Sequence, residues 1–212
     1  MTKELKETFK VMGNFCRKSR DENDRPFYNR IFVHNDIMYA TDGYIMVITD
    51  NITDNKDFSY YDAKTLNYEG MDSDTRVNTN EGKVFEKIIE CYADFPVEFD
   101  IDFDDIPLPV KLQGTFKDRY SEEVTIDLSS KEAKFDFEGG MDNTDLCGIT
   151  ATYGDIIKNI ESAEDVTVKM AIWHVLKVMQ VCKVKKIHYL CNAERKYCKF
   201  VVGKYTFYIT LR

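Results

Sequence analysis

Apolar side chains open the chain at spacings of four, three and four: Leu5, Phe9, Met12 and Cys16. That period is helical and predicts an amphipathic helix from Lys3 to Lys18. Lys3, Lys6, Lys10 and Arg17 form a second stripe about 120° around it, at about 100° per residue. Asp21–Pro26 then breaks the helix. From Phe27 to Asn51 the pattern changes to β-branched and aromatic runs punctuated by Asn35-Asp36 and Asp42-Gly43. Three antiparallel strands are expected there. Residues 52–80 are polar and read as a long excursion with one strand. A second helix is expected from Glu81 to Ala93, with Val84, Phe85, Ile88, Ile89 and Tyr92 inward. Phe95–Phe103 alternates as a strand, with Phe99, Ile101 and Phe103 on one face and Asp100, Asp102 and Asp104 on the other.

Two prolines in Asp104–Pro109 make this the candidate linker of a chain otherwise poor in proline. The expected domains are therefore residues 1–104 and 110–212. The second half reads as mostly β. Val124–Leu128 and Ala133–Glu138 form a hairpin, and Gly148–Tyr153 and Val166–Met170 are further strands. Ala171–Cys182 is a helix carrying Ile172, Val175, Leu176 and Met179. Ile187–Asn192, Cys198–Val202 and Tyr205–Leu211 follow as strands, joined at Ala193–Lys196 and Gly203-Lys204. Helix followed by strands thus occurs at both ends of the chain, an architectural repeat. The fold class is α+β, helices packed on antiparallel sheets.

At 212 residues, 43% hydrophobic and 13% aromatic, the chain can bury a core and is unlike a disordered composition. With no apolar run near the ~20 residues of a membrane span, a cytoplasmic location is expected. Net charge is -8, but it is unevenly spread. Residues 1–20 carry +4, residues 167–212 carry +9, and the middle carries -21. An acidic body with basic surfaces suggests nucleic acid, although solvated surface would give the same count. The six cysteines form no CxxC pair and read as free, buried thiols. His188 and Cys191 point to opposite faces of a strand, so no metal site is expected there. Asp100, Asp102 and Asp104 could hold a cation for a metal-dependent nuclease or hydrolase, but lack a companion His or Glu and read as a solvated face. His34, His174 and His188 sit in apolar patterns and read as partly buried structural residues. No dinucleotide, P-loop, hydrolase or zinc-protease motif is present. No catalytic residue, metal or cofactor is expected.

RIFVHNDIMYATDGYIMVIT resembles the strand–turn–strand of the middle domain of bacterial DNA polymerase sliding clamps, the β-subunit family. EVTIDLSSKEAKFDFE, CGITATYGD, VTVKMAIWHVLKVMQVCKVKKIHYL and YTFYITLR resemble successive elements of its last domain. The chain departs from that family in matching two of its three domains. It has Tyr44-Ile45 where a His/Arg pair is usual, and Thr210 where the closing tail carries a proline.

The resemblance implies a non-enzymatic processivity factor for DNA replication, with helices lining a hole around duplex DNA. Two domains per chain would give a homotrimeric ring. Phosphate contacts would come from Lys3, Lys6, Lys10, Arg17, Lys18, Lys83, Lys87, Lys177 and Lys183, binding without reading sequence. A polymerase or clamp-loader peptide would dock at Thr41, Gly43, Tyr44, Ile45, Met46, Phe207, Ile209, Thr210 and Leu211. The alternative within the same fold is a protein that does not encircle DNA and acts as a peptide-binding decoy or regulator.

Overall fold

The computed structural model describes residues 2–16, 28–54, 59–65, 67, 85–106, 124–127, 132–137, 149–154, 157–162, 167–170 and 172–210. The chain divides into two compact units.

The first unit comprises residues 1–93 and 201–209. It opens with α1, Lys3–Gly13, where Thr2 caps the helix by accepting a hydrogen bond from the Leu5 N–H at 3.2 Å. The helix ends five residues before the expected Lys18. Asn14 turns its side chain back to the Lys10 carbonyl and ends the ladder. Cys16 is nevertheless buried, and its thiol donates to the Arg30 carbonyl at 3.5 Å.

The five strands of this unit lie in the order β4-β1-β2-β3-β13. They are β1 (Arg30–His34), β2 (Ile37–Thr41), β3 (Ile45–Asp50), β4 (Ser59–Asp62) and β13 (Tyr205–Thr210). The three strands expected over residues 27–51 are present, with Asn35 and Asp36 both at positive φ in the β1–β2 turn. Alternation sends neighbouring side chains to opposite faces. On one face α1 packs Phe9 on Tyr61 at 4.9 Å and the following turn packs Phe15 on Phe207 at 5.2 Å. On the other, α2 (described over residues 85–91) packs Phe85 on Tyr39 at 4.6 Å and on Phe32 at 5.7 Å. Tyr60, Met46 and Tyr208 belong to this second cluster. The two helices therefore cover opposite faces of one antiparallel sheet. Glu86 of α2 is also tied to the β1–β2 turn, 3.1 Å from His34 Nε2 and hydrogen-bonded to Asn35.

The second unit contains residues 94–200. One sheet runs β12-β11-β5-β9 and the other β10-β6-β7-β8. The first is built from β5 (Val97–Asp102), β9 (Ile157–Ser162), β11 (Lys186–Asn192) and β12 (Tyr197–Val202). The second contains β6 (Val124–Asp127), β7 (Glu132–Phe137), β8 (Ile149–Gly154) and β10 (Thr167–Met170). The helix α3, Ile172–Cys182, follows β10 and buries Ile172, Val175, Leu176, Val178 and Met179. Strand β9 was not expected: IKNIES mixes charge and amide with isoleucine and gives no clean alternation. On β5 and β11, Phe99 stacks on Tyr189 at 5.0 Å, inside a core that takes Val97, Ile101, Ile187 and Cys191. Burial pushes the Cys191 thiol up to about 12, which removes it as a nucleophile at neutral pH. The described cysteines are all unbridged thiols, with Cys91 exposed and Cys182 half-buried rather than buried as expected; Cys147 lies outside the described residues.

The contacts divide the chain at Ala93/Asp94, not at the expected linker of residues 104–109. The reason is the pairing of β5 with β11 and β9, which commits Val97–Asp102 to the second unit. Residues 107–109 lie outside the described residues.

Candidate docking and DNA-contact surfaces

The Thr41–Ile45 turn is held by its own side chains. Thr41 Oγ1 donates to the Ile45 carbonyl at 2.8 Å and accepts from the Gly43 N–H at 3.0 Å. Asp42 Oδ1 accepts from the N–H groups of Tyr44 and Ile45, each at 3.1 Å. Gly43 adopts φ +98°, a left-handed conformation that a side chain would disfavour. This scaffold leaves Tyr44 projecting, 42% exposed, one of two large hydrophobic residues exposed among those described.

The two segments of the expected pocket are neighbours: β13 pairs with β3 through Ile209↔Ile45, Tyr208↔Met46 and Phe207↔Val47. Their side chains, however, divide between the faces of the sheet. Ile45, Phe207 and Ile209 lie on the α1 face, where Phe207 meets Phe15. Thr41 and Met46 lie on the α2 face, where their neighbour Tyr208 packs 6.1 Å from Tyr92. Five of the nine residues are thus interior: Thr41, Ile45, Met46, Phe207 and Ile209. Gly43, Tyr44 and Thr210 are exposed, and Leu211 lies outside the described residues.

Lys3, Lys6 and Lys10 are exposed along α1. Lys3 approaches Glu7 only to 4.0 Å with both side chains largely in water, a contact worth little. Glu4 is engaged by Lys204 at 2.9 Å. Lys87 is exposed on α2, across the sheet from α1, so the basic side chains of the two helices do not join into one stripe. Arg17, Lys18 and Lys83 lie outside the described residues. In the second unit Lys177 lies 5.8 Å over the Trp173 ring, and Lys183 is exposed just past the end of α3.

The acidic face of β5 is not simply solvated, as the alternation alone suggested. Asp100 is buried and meets Lys186 at 2.8 Å and His188 at 3.0 Å. Asp104 meets Lys185 at 2.8 Å, and Asp102 accepts the Asp104 N–H at 2.9 Å. Each of the three carboxylates is taken up by protein donors, and no metal-holding group of three ligand residues occurs among the described residues. Part of the basic charge of residues 167–212 is spent on this strand pair. The signal was legible: β5 and β11 carry opposite charge at the same period of two. His34 and His174 are buried, but the exposed His188, within hydrogen-bonding distance of Asp100 and Glu98, corrects the expectation of a partly buried residue.

No protein-family model and no curated protein matches this chain. Solved structures do. Helices packed on antiparallel sheets in this order are the fold of the bacterial DNA sliding clamps. The chain superimposes on DNA polymerase III subunit beta from Borrelia burgdorferi with a TM-score of 0.67 at 13% identity, over 98% of this chain and 60% of that one. It is equally similar to the Caulobacter crescentus beta sliding clamp, with a TM-score of 0.67 at 11% identity over 99% and 64% of the two chains. The Bacillus subtilis DNA polymerase sliding clamp gives 0.61 at 11% identity over 98% and 61%. The chain spans about three-fifths of the length of these clamps. Among the described residues no helix is long and apolar enough to cross a membrane.

Proposed function

We propose that this chain is a clamp-type tether in the cytoplasm, a binding protein and not an enzyme, that contacts duplex DNA without reading its sequence and docks a polymerase or loader peptide. The observation that carries the reading is the clamp fold over 98% of the chain. Exposed lysines on the rigid α1 suit phosphate contacts, because a sliding protein needs charge without base-specific geometry. The Tyr44 turn suits peptide docking, because an exposed aromatic on a preorganised backbone anchors a short motif at small entropic cost.

The test is binding to end-blocked duplex over a salt series. Changing Lys3, Lys6 and Lys10 together to Glu should weaken association and lower the slope of log K against log salt by about one unit per lost phosphate contact. Equal affinity and slope in parent and variant would overturn the DNA arm. A second reading, peptide capture without encircling DNA, is favoured by the separation of the α1 lysines from Lys87 across the sheet.

A further inference from the structure

Strands β5 and β11 are far apart in sequence, yet they pair along the full length of β5, with His188 opposite Asp100 and Leu190 opposite Glu98. The His188 ring sits between two carboxylates. Its Nδ1 lies 3.0 Å from Asp100 Oδ1 and its Nε2 lies 2.9 Å from Glu98 Oε2. An ionised carboxylate only accepts hydrogen bonds, and a neutral imidazole has a single N–H to give. Neutral His188 can therefore serve one carboxylate and must turn a lone pair toward the other. The imidazolium serves both.

We propose that His188 is a proton-operated clasp between β5 and β11, closed when the ring is charged and half-released when it is neutral. The proposal is independent of any DNA or peptide role.

The surrounding charges favour a clasp that responds to the ring itself. On β5 the facing groups are Glu98, Asp100 and Asp102, and on β11 Lys186, whose ammonium holds the second oxygen of Asp100 at 2.8 Å. Lys158 and Glu161 of β9 stand opposite Asp100 and Glu98 in the register. On β12 Lys199 stands opposite Leu190. Lys186 still holds the second oxygen of Asp100 when His188 loses its proton, so the oxygen that faces a lone pair of the neutral ring is Glu98 Oε2 or Asp100 Oδ1. His188 is raised from the ordinary imidazole value, chiefly by the hydrogen bond to Asp100, with burial opposing and Glu98 adding. A raised folded-state value means that the clasp stabilises fully below the ordinary value of 6.5 and is lost as pH rises through the raised one. The side chain is about half exposed, so the effect is local to the strand pair.

The experiment follows the imidazole signals of the full chain by NMR across a pH series, with His188→Gln assigning the resonance. The expected His188 midpoint lies above 6.5 and falls in Glu98→Gln, a side chain about one-third exposed. Amide exchange in β5, corrected for its intrinsic pH dependence, should rise through the same midpoint in the parent and not in His188→Gln. A midpoint at or below the ordinary value, unmoved by Glu98→Gln, overturns the clasp. So does β5 exchange that runs parallel in parent and His188→Gln.

Discussion

Asp42 and Tyr44 stand two residues apart: the Asp42 carboxylate builds the turn, and the Tyr44 side chain is 42% exposed. Removing the Asp42 carboxylate leaves the N–H groups of Tyr44 and Ile45 without their acceptor, at a cost of about 1–2 kcal/mol. Asp42→Ala should therefore lower the unfolding midpoint. Tyr44→Ala should lower it less than Asp42→Ala does, while weakening binding of a fluorescent clamp-binding peptide at least about tenfold. Peptide binding unaffected by Tyr44→Ala would place docking elsewhere. Exposure decides the choice of probe: a charge at Met46 would enter the core and report unfolding. The sequence made this turn legible, because ATDG supplies the short acceptors and the glycine that the backbone needs. It did not reveal that Asp100 is buried, since alternation locates a face but not what the neighbouring strand lays across it.

Helices α1 and α2 show what periodicity resolves and what it leaves open. The inward residues of both were readable from spacing, and Phe9, Met12 and Phe85 are all buried. The end of α1 was not, because Cys16 continues the apolar spacing although Asn14 has already stopped the helix. Which sheet face each helix would cover was also unreadable, being fixed by pairings such as Phe85 with Tyr39 that lie far apart in sequence. That stack makes α2 a structural element. Truncating Phe85 to Ala should cost about 3–5 kcal/mol, read as a lower urea midpoint with an unchanged slope. A loss below about 1 kcal/mol would mean that α2 is only loosely held.

At the level of the molecule, the α+β class and the order of elements other than β9 were legible from sequence, while the division into units was not. Prolines suggested a boundary at residues 104–109, but long-range pairing of β5 overrode that local signal. The sliding-clamp reading carries a further proposal at this scale, the homotrimeric ring. Analytical ultracentrifugation should then find a species of three times the chain mass, favoured by DNA. A monomer at all concentrations, with and without DNA circles, would argue for the non-encircling reading.

The return of β13 to β3 also sets an order of events in synthesis. Ile45 cannot meet Ile209 until the chain has left the ribosome through Ile209, so the first unit is begun before the second and completed after it. Closing so long a loop is slow compared with local hairpin formation. Meanwhile β3 presents an open strand edge whose hydrogen-bonding groups another nascent chain could satisfy. The β1–β2–β3 meander would thus emerge as a segment that depends on chaperone protection.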